Sequence, residues 1–165
     1  MLPEATRDDA ALIGAIVAFL TGIGIGVTAE TLPENGFLPG LVVRRGRLVY
    51  DPARLLWPSD LLHEAGHIAV TDPAVRSTLC VVADDPAEEM AAIAWSYAAA
   101  LAVGLGARTL FHDDYKAGGA SLAENFTAGR DVGVPMLEYY GMTQGRQTRR
   151  SPKAAPYPHM TRWLR

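Results

Sequence analysis

The sequence predicts a mixed α+β domain on three grounds. Capped stretches with helical apolar spacing recur along the chain. Two short runs rich in β-branched and aromatic residues flank a turn pair. Length and composition are those of one globular unit: 165 residues, 49% apolar and 20% charged, which is enough chain for a real core and too apolar for disorder. The formal charge of −3 argues against a dominant nucleic-acid or anionic-membrane field.

Taken in order, the first element is a helix from Asp8 to about Thr21. The stretch Ala10 to Val27 is apolar and uncharged, but Gly22, Gly24 and Gly26 alternate at its end, and a span needs about 20 continuous apolar residues. With Arg7 as the only nearby base, it is also a poor signal-peptide start. A buried amphipathic helix followed by a strand is expected, and no membrane anchor. Leu32-Pro33-Glu34-Asn35-Gly36 is turn chemistry. Leu41 to Arg44 and Arg47 to Tyr50 then read as a hairpin about Arg45-Gly46, ended by Asp51-Pro52.

A second helix is expected from Ser59 or Asp60, either of which can cap it, as far as Thr71-Asp72-Pro73. Cys80 is the only cysteine, which excludes an internal disulfide and a four-cysteine zinc site. In Leu79-Cys80-Val81-Val82 it reads as a small buried hydrophobe, compatible with a reducing cytoplasm. Asp85-Pro86-Ala87-Glu88 opens a long third helix, with Asp85 as cap, Pro86 at the first position and Glu88 as capping-box acid; it should stop at Gly104 or Gly106. Ser121-Leu122-Ala123-Glu124 repeats the capping-box pattern, and Pro135 to Tyr140 reads as a short helix closed by Gly141. The glycine-bearing stretch Lys116 to Val134 reads as a cleft-lining loop or a tight connection; Lys116-Ala117-Gly118-Gly119 lacks the strand and spacing of a phosphate loop. From Gln144 onward the chain carries Arg146, Arg149, Arg150, Lys153, Arg162 and Arg165 and no acid. The expected organisation is therefore a domain over 1–143 and a solvated basic tail over 144–165.

Chemistry concentrates in His63-Glu64-Ala65-Gly66-His67. Histidines four apart on a helix project from one face and can share one tetrahedral zinc at about 2.0–2.1 Å each. Glu64 follows the first histidine and can reach a water on the ion without taking a coordination position. This is the HExxH arrangement, with the glutamate as general base. Gly66 weakens a helix by roughly 1 kcal/mol, so another backbone is expected to pack close to it. A catalytic zinc usually has a third protein ligand. The first turn of the long helix offers Glu88 and Glu89; because Glu88 is placed for the capping box, Glu89 is the preferred ligand, and its stripe continues through the small residues Ala92, Ser96 and Ala100.

A helix bearing HExxH, followed by a second helix whose glutamate completes the site, resembles the gluzincin metallopeptidases. Within them, His63 to His67 followed by Glu89-Met90-Ala91-Ala92-Ile93-Ala94-Trp95 looks like the bacterial ImmA/IrrE-type enzymes, whose second helix reads Glu-x-x-Ala-x-x-aromatic; Trp95 in that register favours Glu89 again. The resemblance covers about Leu41 to Leu101, and Arg108 to Arg165 has no counterpart in it. It implies a zincin-like α+β domain, with a small sheet packed on the HExxH helix and a second ligand-bearing helix, and hydrolysis of peptide bonds in the cytoplasm. The metal ligands would be His63, His67 and Glu89, the metal Zn2+, and the general base Glu64.

A second donor usually steadies the developing oxyanion. His112 is the preferred candidate, with Tyr115 beside it and Tyr157 and His159 as outside alternatives. The expected partner is a peptide or protein substrate, with room for one specific protein partner; neither nucleic acid nor membrane is expected. The alternative is a non-catalytic zinc module binding protein or nucleic acid through the basic tail.

Overall fold

The computed structural model describes residues 7–34, 38–82, 84–115, 118–148 and 151–165. The first helix, α1 (Arg7–Gly22), leads into β1 (Val27–Ala29). The expected hairpin forms from β2 (Leu41–Arg44) and β3 (Arg47–Tyr50). Its turn places both central residues in the left-handed region, Arg45 at φ 51° and Gly46 at φ 69°, the type I′ geometry that matches strand twist. β3 is the central strand: β2 pairs with it antiparallel and β1 parallel. Of the turn expected before the hairpin, Asn35 and Gly36 lie outside the described residues, as do Lys116, Ala117, Arg149 and Arg150.

The motif helix, α2 (Asp60–Val70), is followed by a single turn, α3 (Pro73–Arg76), and by the long helix α4 (Pro86–Ala102). Asp85 caps α4 as expected, its side chain accepting from Ala87 N–H at 2.8 Å. Ser59 occupies the cap position of α2 but makes no side-chain cap bond, because its own backbone is already helical. The remaining helices are α5 (Ala107–Leu110), α6 (Gly119–Thr127) and α7 (Val134–Tyr139). No helix among the described residues is long and apolar enough to cross a membrane.

The α2–α4 contact is the centre of this small α+β domain. Gly66 makes it possible: a Cβ there would lie 2.7 Å from the carbonyl oxygen of Ala92, so the close approach expected of that glycine is present. Ala65, Ile68, Ala69, Ala91, Ala94 and Trp95 fill the interface and its surroundings with no exposure. Every residue of α2 is buried except Asp60 and Glu64, which keep partial exposure. Those two acids, four apart on one face, mark where the helix opens to solvent.

Three expectations need correction. Cys80 is exposed, not buried. Its run is tied to the outside of the hairpin turn, with Gly46 N–H donating to Leu79 O at 2.8 Å and Arg45 N–H to Cys80 Sγ at 3.4 Å, so Val81 faces solvent. The stretch after Tyr115 contains α6, which starts at Gly119 rather than Ser121, because Gly118 takes the cap position at φ 86° and Leu122, Ala123 and Phe126 bury one helical face. The segment from Gln144 is irregular but not solvated throughout: Tyr157 and Met160 are buried, and Trp163 sits edge-on to Phe19 and Trp95 at 4.9 and 5.6 Å. Apolar residues interleaved with the bases anchor it, and several bases are used internally. Arg146 donates to Tyr157 O and Gly129 O, and Arg162 to Tyr140 O.

Candidate metal centre

The helical spacing of His63 and His67 brings their Nε2 atoms to 3.2 Å, with the rings at 88°. Both rings are buried, at 6% and 4% exposure. At this distance one imidazole donates its Nε2–H to the other, or both turn lone pairs toward a shared cation. α4 supplies a carboxylate: Glu89 Oε1 lies 3.5 Å from His63 Nε2, and Oε2 lies 3.1 Å from His67 Nε2. Glu64 joins the histidines from α2, with one ligand atom of each of His63, Glu64 and His67 lying within 4.8 Å of the others.

These distances fit a small divalent ion. Ligands at about 2.0–2.1 Å around a tetrahedral centre are about 3.3–3.4 Å apart, and the His–His and His–Glu89 separations bracket that value. His63, Glu64 and His67 could therefore hold a metal ion, with the Glu89 carboxylate against both ring nitrogens.

The second ring nitrogens differ. His63 Nδ1 lies 2.7 Å from the Tyr115 hydroxyl, which would fix the ring and leave Nε2 for a metal, since ligating histidines usually donate their other N–H to a neighbour. Burial pushes the Tyr115 phenol well above its ordinary range; the Ser96 hydroxyl opposes this, and the carboxylates of Glu89, Asp60 and Glu64 add to it. Tyr115 therefore stays a neutral phenol. His67 Nδ1 is buried with no hydrogen-bond partner among the described residues.

Of the other candidates, His112 is brought to the site's edge, ring to ring with Tyr115 at 5.7 Å. Its Nε2 lies 2.9 Å from Asp60 Oδ1, and the Trp57 indole stacks on it at 4.2 Å and 9°. Tyr157 is spent elsewhere, donating its hydroxyl to Ala94 O at 2.8 Å, and His159 is exposed. The sequence marks Asp60 only as a helix cap, and does not mark Trp57 at all. A signal for Asp60 existed: it lies three residues before His63, so it continues the same helix face. Nothing in the sequence pairs it with His112. No protein-family model, curated protein or solved structure matches the chain.

Proposed function

We propose that this chain is a zinc-dependent peptidase with a zincin-like arrangement of its two central helices. The observation that carries the reading is the convergence of two imidazole Nε2 atoms and the Glu89 carboxylate within 3.1–3.5 Å, beside a second glutamate on the open side of the motif helix. His63, His67 and Glu89 would hold the ion. Nitrogen and oxygen donors in this number suit zinc. Zinc, when bound, supplies Lewis acidity toward a carbonyl oxygen and a water.

The protein's own groups do the rest. Glu64 takes the proton of the attacking water on its carboxylate and later gives it to the leaving amine nitrogen, so that one proton is moved and none is lost. Tyr115, kept neutral by burial, receives His63 Nδ1–H and holds the ring in the register that presents Nε2. His112 stands ready as the donor to the oxygen on which charge builds. Partial exposure of Glu64 and of Glu89, the latter at 30%, leaves a way in for a substrate, and the partner expected is a peptide or a protein segment.

The test is Glu64→Gln in the zinc-loaded protein, with cleavage of an unfolded protein read by mass spectrometry. Cleavage should fall about 10²–10⁴-fold while zinc content stays at the wild-type level. Undiminished cleavage would remove Glu64 from the chemistry, and a wild-type protein that takes up no zinc would remove the whole reading.

A further inference from the structure

The open end of α2 carries a second group of side chains beyond the metal cluster. Asp60, His63, Glu64 and His67 are spaced i, i+3, i+4 and i+7, which places them on one helix face. The helix rise of about 1.5 Å per residue sets Asp60 about 4.5–6 Å along the axis from His63 and Glu64. Asp60 Oδ1 is 2.9 Å from His112 Nε2, and Trp57 covers the face of the same imidazole at 4.2 Å. Both grips come from one turn. Asp60 N–H donates to Trp57 O at 3.0 Å, and Pro58 restricts Trp57 to extended backbone. The few residues that lead into the motif helix thus hold one ring by its edge and by its plane.

The other ring nitrogen of His112, Nδ1, is buried and has no hydrogen-bond partner among the described residues, an arrangement that native interiors rarely tolerate. The ring itself is 7% exposed and lies one phenol away from the metal histidines, since Tyr115 is edge-on to His63 at 5.3 Å. Burial raises the Asp60 carboxyl, and the hydrogen bond and charge of His112 oppose that rise.

We propose that Asp60 and Trp57 are positioning residues for His112, and that His112 meets the substrate's carbonyl oxygen through Nδ1. This rests on the peptidase reading. With Nε2–H donated to Asp60, Nδ1 is the ring nitrogen left for a further partner. A proton carried there makes an imidazolium whose charge the Asp60 carboxylate balances, and that N–H donates to the oxygen as it becomes negative. The proton stays on the ring, and no bond to His112 forms.

The experiment reads the ring as well as the rate. Imidazole ¹⁵N spectra of the zinc-loaded protein should show His112 protonated at Nε2, and a phosphonamidate dipeptide, whose tetrahedral anion imitates the attacked carbonyl, should shift the Nδ1 signal. Asp60→Ala should release the ring into mixed tautomers. Both Asp60→Ala and Trp57→Leu should lower kcat by about tenfold or more with KM nearly unchanged, at full zinc content; Trp57→Phe should restore the rate. If Asp60→Ala does not fold, the Trp57 pair carries the same test. A wild-type ring protonated at Nδ1 but not at Nε2, no response to the phosphonamidate, or a His112→Gln variant as fast as wild type would overturn the proposal while leaving the peptidase reading in place. A response at Nδ1 in a protein that cleaves no peptide would uphold the positioning and sink the peptidase reading.

Discussion

Helix α2 ends in a fully satisfied backbone and begins in a set of side chains that folding alone does not explain. At its C-terminal end the last four carbonyls have no partner within the helix, and each finds one outside. Thr71 donates its hydroxyl to His67 O at 2.7 Å, Arg76 Nε to Ile68 O at 3.0 Å, Arg165 N–H to Ala69 O at 3.0 Å, and Arg165 Nη1 to Val70 O at 3.3 Å. Arg76 Nη2 also reaches Arg165 O at 2.7 Å, so distant parts of the chain are tied at this one point. The face that runs from Asp60 to His67 carries two facing imidazoles and partly exposed acids, and the Nδ1 atoms of His67 and of His112, which packs against Asp60, are buried without partners among the described residues. A site whose groups must stay available cannot also be where the helix gains its stability.

The sharpest way to break this contrast is His67→Ala, which should weaken zinc binding by more than about 100-fold, since outer partners of ligands alone are worth about 10–100-fold. Metal content after purification reads the result, and the apo-protein's thermal midpoint should hardly fall. Arg76→Ala tests the other end. It removes donors from Ile68, Ala69, Thr71 and Arg165 carbonyls, and a loss on the order of 2 kcal/mol is expected, seen as a midpoint lower by about 4–8 °C with zinc stoichiometry preserved. If Arg76→Ala instead empties the metal site without changing stability, the two ends are not separable as described. Tyr115→Phe sits between the two cases. It should weaken zinc about tenfold by freeing the His63 ring, measured by competition with a chelator.

The smallest effect contrasts two acids, one on the sheet side and one at the site. Asp51 accepts from Leu32 N–H at 2.9 Å and Ala53 N–H at 3.0 Å. The Leu32 bond leads in lowering its carboxyl below the usual range, with burial opposing. Asp60 is shifted the other way by burial. For Asp51 the folded state binds its proton less readily than the unfolded chain, so its stabilisation is present above about pH 3.9 and is lost as pH falls through the lower folded value. The thermal midpoint should therefore drop less steeply for Asp51→Asn than for wild type as the solution is taken from about pH 5 to about pH 3. An identical slope would show that the two backbone bonds do not favour the ionised form.

Much of the architecture was legible in local signals. Asp85-Pro86 announces the start of α4, Thr71-Asp72-Pro73 the end of α2, and the alternation around Arg45-Gly46 the hairpin, because caps, prolines and turns act over a few residues. The metal-type cluster was legible for the same reason: His63, Glu64 and His67 lie within one and a half turns of one helix, and their convergence needs only the helical repeat. Gly66 even signalled the close packing against Ala92. Cys80 and the segment after Gln144 were misread, since apolar runs and charge counts do not say which neighbours are at hand.

What the sequence by itself determined is therefore the set of elements and the donor pair on α2, each a consequence of short-range periodicity. Only the tertiary structure decided that Glu89 rather than Glu88 meets those imidazoles, that Asp60, 52 residues away in sequence, and Trp57 clamp His112, and that Arg165 closes the C-terminal end of the motif helix. These are contacts between segments far apart in the chain. They depend on how helices cross and which loop passes over them, and no local pattern encodes that.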